Sequence, residues 1–341
     1  MKKYISVLLA LVMTVLCFTA CGSKSAEKST AEKSQKTTTE ASSGEKLKIV
    51  TTIFPEYDWV KQILGEESSN AELTMLLDDG VDLHSYQPTA EDITKISDCD
   101  LFIYVGGESD AWVDDALKEA VNKNMKVINL LDVLGNTVKE EEVVEGMEAE
   151  EEEEESEGAE EEPEYDEHVW LSLKNAQVLC KEIGKDLEEL DKAHADVYQK
   201  NTDAYVEALA ALDKKYQETV DAANQKTLLF GDRFPFRYMV DDYGLTYYAA
   251  FVGCSAETEA SFKTISFLAK KVDELGLHHV MTIEKSDQKI AKTIIQNTKE
   301  KNQQILTLDS MQSTTSQDVE NGTTYLSVMA DNLNVLKEAL Q

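Results

Sequence analysis

Two of the five histidines in the sequence stand in short segments that contain further metal-binding residue types. His84 lies in residues 79–88, DGVDLHSYQP, and His168 lies in residues 166–176, DEHVWLSLKNA. Imidazole nitrogens combined with carboxylate oxygens suit zinc, and sets richer in carboxylates move toward manganese. The two segments therefore contain donor types suited to zinc or manganese, whereas the other three histidines have no such surroundings.

Both segments resemble the paired histidine motifs of the zinc- and manganese-binding lipoproteins that serve ABC importers, the ZnuA/TroA-like periplasmic solute-binding protein family 9. That family's motifs read approximately Gly-x-Asp-Pro-His-x-Tyr-x-Pro and Asp-Pro-His-x-Trp-Leu-x-Pro-x-Asn-Ala. Leu83 and Glu167 replace the usual prolines before the two histidines, and Leu173 replaces a later proline. These departures change the stiffness of the loops and leave the ligand chemistry intact. The resemblance extends from Leu47 to the end of the chain.

The resemblance implies a metal ion held by residues from two lobes, with His84 and His168 supplied by the first. It also implies that the last ligand is an Asp at the end of a late strand, a position that Asp309 matches. A remaining ligand, His or Glu in the family, should follow the first strand of the second lobe. The corresponding residues 230–238, FGDRFPFRY, contain no histidine.

The identity of this remaining ligand depends on how the segment is aligned. Without gaps the position falls on Arg233, which cannot coordinate a metal ion, and one inserted residue moves the position to Asp232. We predict Asp232 as the ligand, although its carboxylate could instead pair with a neighbouring arginine or cap the next helix. Glu284 is the alternative carboxylate. Cys254 is a distant third candidate, because an ordinary buried small residue is the better explanation of a cysteine at this position.

Strand-like and helix-like segments alternate along the chain, and these elements must position the ligands. Strands are predicted at residues 47–52, 73–77, 101–105, 126–130, 227–230, 247–251, 280–283 and 305–308. Such alternation indicates βα units and parallel sheets, in which ligands gather beyond the carboxyl ends of the strands. We therefore predict an α/β fold of two βα lobes with mainly parallel sheets, joined by one long rigid helix. A metal cleft between the lobes is what the family resemblance implies.

The predicted lobes are residues 47–192 and 224–341, and the segment between them is almost free of glycine and proline. Apolar and aromatic residues recur at helical spacing in residues 193–223, which predicts one linker helix about 45 Å long. Between residues 140 and 167 the sequence has eighteen acids and no base. We therefore predict a disordered acidic loop at 139–166 within the first lobe.

The N-terminus predicts export followed by lipid anchoring. Residues 1–3 carry positive charge, and residues 5–20 form an apolar run that is too short to span a bilayer comfortably. Residues 1–20 are interpreted as a signal peptide, Cys21 as an acylated cysteine, and residues 21–46 as a flexible tether. This interpretation places the protein on the extracellular face of the bacterial cell membrane.

The composition argues against several classes of function. The formal net charge of −33 opposes binding to nucleic acid and to anionic membrane patches. Beyond the N-terminal segment, Cys99, Cys180 and Cys254 show no paired spacing, so no disulfide framework is implied.

Together these features predict a metal receptor that is not an enzyme. Zinc, with manganese as the alternative, is the expected transported ligand, and the expected partner is the ABC permease of a metal importer. The lipid anchor is the expected membrane contact, and the protein is expected to be a monomer.

Two other classes compete with this interpretation. A metal-dependent hydrolase could use the same cleft, because three firm ligands would leave a coordination position for water. No Ser/His/acid pattern or phosphate loop supports that hypothesis. A siderophore or corrinoid receptor on a similar helix-linked scaffold is the other candidate, and it would leave the paired histidines unexplained.

Overall fold

The computed structural model describes residues 46–148, 164–255 and 259–341. The predicted signal peptide, Cys21, nearly all of the tether and the centre of the acidic loop lie outside these ranges. Among the helices within them, none is both long enough and apolar enough to cross a lipid bilayer.

The N-terminal half, residues 46–194, contains a four-stranded parallel sheet with strand order β2-β1-β3-β4. Its strands are Leu47–Thr51 (β1), Ala71–Met75 (β2), Leu101–Tyr104 (β3) and Lys126–Asn129 (β4). All four residues of β3 are buried, as expected for an inner parallel strand covered by helices on both faces. The carboxyl ends of these strands lie at one edge of the sheet, and the loops that carry functional residues begin there.

In the described residues of this half, five α-helices accompany the sheet. They are Phe54–Leu64 (α1), Ala90–Asp98 (α2), Val113–Lys118 (α3), Leu130–Leu134 (α4) and Leu173–Leu190 (α5). Helix α2 begins at a capping box in which the Thr89 hydroxyl accepts a hydrogen bond from the Asp92 backbone N–H at 3.2 Å. Such reciprocal caps satisfy backbone donors that the helix itself leaves without partners.

The long helix expected at residues 193–223 spans Ala195–Ala222 (α6) and has 28 residues. Its buried residues recur every three or four positions: Tyr198, Thr202, Tyr205, Leu209, Leu212, Tyr216 and Val220. Helix α5 packs closely against it, because a Cβ atom on Gly184 would lie only 2.3 Å from the Thr202 hydroxyl. Only a glycine fits at that crossing. Helix α5 was not separately predicted, since the helical pattern continues through both helices.

The C-terminal half, residues 223–341, repeats the parallel pairing in shorter pieces. Its strands are Thr227–Leu229 (β5), Arg233–Phe234 (β6), Thr246–Tyr248 (β7), Phe251–Val252 (β8), His279–Ile283 (β9) and Gln304–Leu308 (β10). They form three parallel pairs, β5 with β7, β6 with β8 and β9 with β10. The predicted α/β class with mainly parallel sheets is therefore confirmed, although the predicted strand at 247–251 is divided into β7 and β8.

The part of this half that the structure describes also contains five α-helices. They are Arg237–Tyr243 (α7), Phe262–Leu275 (α8), Lys289–Asn297 (α9), Ser316–Glu320 (α10) and Tyr325–Ala339 (α11). Helix α11 contacts α6 through a hydrogen bond of 2.6 Å from the Tyr216 hydroxyl to the Met329 carbonyl.

The two ends of the acidic segment make specific backbone contacts, although disorder was predicted there. Glu140 and Tyr165 form an antiparallel bridge, and the Glu141 N–H donates to the Glu164 carbonyl at 2.9 Å. The Glu148 N–H donates to the Ala250 carbonyl at 3.0 Å. The first two contacts join the ends of the segment to each other, and the third holds Glu148 against the C-terminal half.

Candidate metal centre

His84 is positioned by the loop that follows β2. The Asp82 carboxylate accepts a hydrogen bond from the His84 backbone N–H at 3.1 Å and caps the 3-10 turn Leu83–Ser85, whose Leu83 is buried in the core. The Ser109 Oγ lies 2.8 Å from His84 Nδ1, and Glu167 Oε2 lies 3.4 Å from the same nitrogen. The Nδ1 side of the ring is therefore occupied by protein groups.

His168 is fully buried at the start of the 3-10 turn Val169–Leu171. Asp166 Oδ1 accepts a hydrogen bond from the His168 backbone N–H at 2.9 Å and also lies 3.0 Å from His168 Nδ1. The turn is fixed from the other side, because the Trp170 indole N–H donates to the Ser310 carbonyl at 2.9 Å. A carboxylate therefore fixes the orientation of this ring as well.

The two imidazole rings face each other through their remaining nitrogens. His84 Nε2 lies 3.2 Å from His168 Nε2. Two nitrogens bound to one tetrahedral zinc ion at about 2.0–2.1 Å would lie about 3.4 Å apart. A carboxylate on the opposite nitrogen is the usual support for a metal-binding histidine, because it fixes the tautomer and raises ligand basicity. The pair is thus arranged as two ligands of one metal ion.

The electrostatics of the two histidines differ. Burial, together with the nearby His168, lowers the pKa of His84 to about 3, so its imidazole is neutral at neutral pH. Burial also acts to lower the pKa of His168, but the Asp166 carboxylate outweighs it and the net effect is a raised pKa. Near neutral pH the proton that competes with a metal ion is therefore the one on His168, and this competition weakens as the pH rises.

The third potential donor in reach is a cysteine. One ligand atom each from His84, His168 and Cys254 lie within 4.8 Å of one another. Cys254 follows β8, and its backbone N–H donates to Glu141 Oε1 at 3.2 Å. The sequence already placed Cys254 shortly after a predicted strand, where ligands gather in parallel sheets. The sequence-based prediction nevertheless preferred the carboxylates Asp232 and Glu284.

Within the described ranges, that group of three does not include Asp232, Glu284 or Asp309. Asp232 Oδ1 accepts from the Arg233 N–H at 3.0 Å, and its Oδ2 lies 3.5 Å from the Ile283 N–H. Both oxygens of this carboxylate are therefore directed at backbone groups.

Glu284 and Asp309 hold the loop that follows β10. The Glu284 carboxylate accepts from the Ser310 N–H and hydroxyl, each at 2.7 Å, and from the Gln312 N–H at 3.2 Å. Asp309 Oδ1 accepts from the Met311 N–H at 2.7 Å. Burial, followed by the charge of Glu284, raises the pKa of Asp309 to about 6. Asp309 lies next to Ser310, whose carbonyl binds Trp170, so the loop contacts the His168 turn.

Arg233 lies where an ungapped alignment would put a ligand, and its guanidinium pairs with the Asp82 carboxylate. Its positive charge interacts with both imidazole rings. A guanidinium cannot coordinate a metal ion. This ion pair instead joins β6 of the C-terminal half to the loop that carries His84.

Comparison with known proteins begins with a family model described as "ZnuA: Zinc-uptake complex component A periplasmic", which matches residues 49–339. The chain is 33% identical over 294 residues to a zinc-binding lipoprotein AdcA of Streptococcus pneumoniae. That match covers 86% of this chain and 56% of the relative, so the chain spans about half the length of the AdcA proteins. It is 30% identical over 339 residues to the high-affinity zinc uptake system protein ZnuA of Bacillus subtilis, covering 99% and 98% of the two chains.

Solved structures with the same fold include the Zn(II)-bound ZnuA-like domain of Streptococcus pneumoniae AdcA. It has a TM-score of 0.67 at 29% identity, over 87% of this chain and 99% of that one. The metal-dependent lipoprotein YcdH of Bacillus subtilis has a TM-score of 0.69 at 26% identity, over 87% and 100% of the two chains.

Proposed function

The chain belongs to the ZnuA family of zinc-uptake components, and from this premise we propose that it is a zinc receptor that captures the ion outside the cell. It would then deliver zinc to the permease of an ABC importer. The observation that carries the proposal is the 3.2 Å approach of His84 Nε2 to His168 Nε2, with a carboxylate near the opposite nitrogen of each ring.

The proposed ligands from the N-terminal half are His84 and His168. From the C-terminal half the proposal takes Asp309, and the remaining position falls to one of three candidates, Asp232, Glu284 or Cys254. Support for these acids is unequal. Asp309 uses Oδ1 to accept from the Met311 N–H, whereas Glu284 uses both oxygens for the loop after β10 and Asp232 has both oxygens near backbone N–H groups.

Zinc is proposed over manganese because zinc binds mixed nitrogen and oxygen sites more tightly in the general affinity order. The names of the AdcA and ZnuA relatives, which refer to zinc binding and zinc uptake, agree with this choice. Zinc is cargo here, so each binding event must be reversible at the permease. Protonation of the imidazoles competes with the ion, and zinc affinity should fall as the pH falls.

The proposal includes no catalysis. A catalytic zinc requires a bound water and a nearby base that can take its proton. The acids beside the histidine pair, Asp166 and Glu167, are instead directed at the Nδ1 atoms of the two rings. A hydrolase would need a further acid that faces the Nε2 side.

The proposed location is the outer face of the cell membrane, with Cys21 acylated and residues 21–46 as the tether. This part of the proposal rests on the sequence and on the description of the AdcA relative as a lipoprotein. Replacing Cys21 with Ser should release the protein from the membrane fraction into the medium. Unchanged membrane association would contradict the anchor.

The experiment that tests the receptor is metal analysis of the full mature chain combined with a competition titration against a chromophoric chelator. We expect one zinc ion per chain, tight binding and no hydrolytic turnover of ester or phosphate test substrates. In cells that carry the cognate permease, deletion of the protein should impair growth under zinc limitation and not under manganese limitation. A purified chain without stoichiometric transition-metal binding would overturn the proposal.

A further inference from the structure

The geometry points to Cys254 as a zinc ligand that takes the place of Asp232, so that the site presents a thiolate beside two imidazoles. We propose that this sulfur makes the receptor selective for thiophilic divalent ions and against manganese. The inference rests on the proposed function, because it concerns the same site.

The distances allow the assignment. The ligand atoms of Cys254, His84 and His168 lie within 4.8 Å of one another. Around one tetrahedral zinc ion, with Zn–S near 2.3 Å and Zn–N near 2.0–2.1 Å, sulfur and nitrogen would lie about 3.6 Å apart. A small rotation of the Cys254 side chain changes the sulfur-to-nitrogen distances enough to bring them from within 4.8 Å to about 3.6 Å.

The backbone beside Cys254 is built against the histidine. A Cβ atom on Gly253 would lie 2.9 Å from His168 Cε1 and 3.0 Å from the Phe234 carbonyl oxygen. Contacts that short are not tolerated, so only glycine lets this turn approach the imidazole so closely. Cys254 is the next residue, and its N–H is held by Glu141 at 3.2 Å. The turn is therefore fixed from both sides, and it packs against the Cε1 and Nδ1 atoms of His168.

The other two cysteines of the described chain have different surroundings. Cys99 and Cys180 are buried in the hydrophobic core, and Cys99 Sγ lies 3.3 Å from the Met125 sulfur. Cys254 is only partly buried and does not belong to that core. An inert space-filling role explains the first two cysteines and leaves the position of the third unexplained.

Binding follows a balanced proton exchange. The S–H bond breaks, its electron pair remains on sulfur and forms the bond to zinc, and the proton leaves. Glu141 is within hydrogen-bonding distance of the Cys254 backbone and provides a first acceptor on the way to solvent. A divalent zinc ion with two neutral imidazoles, one thiolate and the Asp309 carboxylate carries no net charge. That neutrality suits a site whose histidines are largely buried.

Metal choice follows from ligand softness. Thiolate favours zinc over manganese, which prefers oxygen donors. A site of two histidines and two carboxylates would discriminate less between the two ions. A cysteine in the set therefore gives the receptor a preference for zinc that two histidines and two carboxylates alone would not supply.

The test uses Co²⁺ as a spectroscopic probe in the full mature chain. We expect the one-to-one Co²⁺ complex of the wild type to show a sulfur-to-cobalt charge-transfer band in the near ultraviolet. Cys254→Ser should lose this band, whereas Cys99→Ala, which removes a thiol from the core, should keep it. Zinc affinity of Cys254→Ser should fall at least tenfold, and its preference for zinc over manganese should shrink. Asp232→Asn should change neither the band nor the affinity by more than about threefold, well under the ~1.4 kcal/mol of a tenfold change.

The outcomes separate this inference from the function on which it rests. Stoichiometric Co²⁺ and zinc binding by the wild type without a charge-transfer band would overturn the cysteine ligand and leave the receptor intact. A strong loss of affinity in Asp232→Asn with an unchanged Cys254→Ser would do the same and would restore Asp232. No stoichiometric binding in the wild type would overturn both. The wild-type spectrum decides the question even if Cys254→Ser does not fold.

Discussion

Acidic residues surround the candidate metal centre on both sides, but they do different work in the two halves of the molecule. In the N-terminal half, Asp166 and Glu167 stand behind the histidines and address their Nδ1 atoms. In the C-terminal half, Glu284 accepts from backbone N–H groups of the loop after β10, and Asp232 oxygens lie near the backbone N–H groups of Arg233 in β6 and Ile283 in β9. Asp166 and Glu167 therefore combine a contact to a histidine ring with a backbone hydrogen bond, whereas the oxygens of Glu284 and Asp232 face backbone and hydroxyl groups.

The hydrogen bonds that a carboxylate already accepts determine whether it is available as a metal ligand. A carboxylate that receives several backbone hydrogen bonds would lose them on turning to a metal ion. Buried N–H groups left without an acceptor cost roughly 1–3 kcal/mol each. Glu284 accepts from Ser310 and Gln312, so its recruitment as a ligand would also release the loop next to Asp309.

The largest effect is expected from the histidine pair itself. His84→Ala or His168→Ala removes a nitrogen that no neighbour replaces, so zinc affinity should fall at least tenfold, or ~1.4 kcal/mol, and further in the double variant. Competition titration measures this directly. His278→Ala, at an exposed position outside the group, is the matched control and should bind zinc like the wild type. Wild-type affinity in both single variants would remove the basis of the site.

The second prediction compares one acid from each half, Asp166 and Glu284, after the same change from carboxylate to amide. Asp166→Asn should weaken zinc binding by about tenfold, because losing the partner of a metal-binding histidine typically costs 10–100-fold in affinity. Glu284→Gln should leave zinc affinity within about threefold and should instead lower the free energy of unfolding. Calorimetric titration and denaturant unfolding separate the two effects. If Glu284→Gln weakens zinc binding more than Asp166→Asn does, the contrast between the halves fails.

A third prediction concerns an acid of the N-terminal half that lies deeper. Burial raises the pKa of Asp110 from 3.8 to about 7, and the charge of Glu167 acts in the same direction. The folded state therefore holds a proton that the unfolded state loses, so stability is full below pH 4 and declines as the pH rises toward 7. Relative to Asp110→Asn, the metal-free wild type should lose up to about 1.4 kcal/mol of unfolding free energy per pH unit in this window.

Urea unfolding of both proteins between pH 4 and pH 8, with a chelator present, measures this slope. Asp114→Asn changes an exposed acid on α3 and should give a curve parallel to that of the wild type. If the curve of Asp110→Asn is also parallel to that of the wild type, ionisation of Asp110 does not lower the free energy of unfolding in this pH range.

The smallest effect is expected from the acidic residues 149–163. Deleting residues 149–163 should leave zinc affinity within about threefold, since the predicted ligands lie outside it. Its negative charge should raise the local concentration of divalent ions, so the association rate should fall on deletion at low salt and recover near physiological ionic strength. Stopped-flow binding at two salt concentrations measures this, with a chain of equal length that carries Gln in place of Glu as the control. Loss of tight binding would mean that the segment supplies ligands.

Much of the architecture was predictable because its signals are local. The alternation of strands and helices, the helix at Ala195–Ala222 and the capping box at Thr89 each depend on residues within a few positions of one another. The histidine motifs were equally visible, and the structure brings His84 and His168 within 3.2 Å through their Nε2 atoms.

The remainder depended on contacts that sequence spacing does not reveal. Gly253 brings Cys254 to His168 across 86 positions, and this approach depends on where β8 packs rather than on any nearby residue. Asp232 and Glu284 were selected as candidates by residue type. The folded structure determines which backbone N–H groups donate hydrogen bonds to these two carboxylates. The sequence therefore could not rank Asp232 and Glu284 against Asp309 as metal ligands.

The central claim is that one zinc ion binds between His84 and His168, and anomalous diffraction at the zinc edge from crystals of the zinc-loaded mature chain tests it most directly. We expect a single strong peak about 2.0–2.1 Å from the Nε2 atom of each ring. A zinc peak that contacts neither histidine, or full occupancy at a separate cluster of acids with the pair empty, would contradict the account.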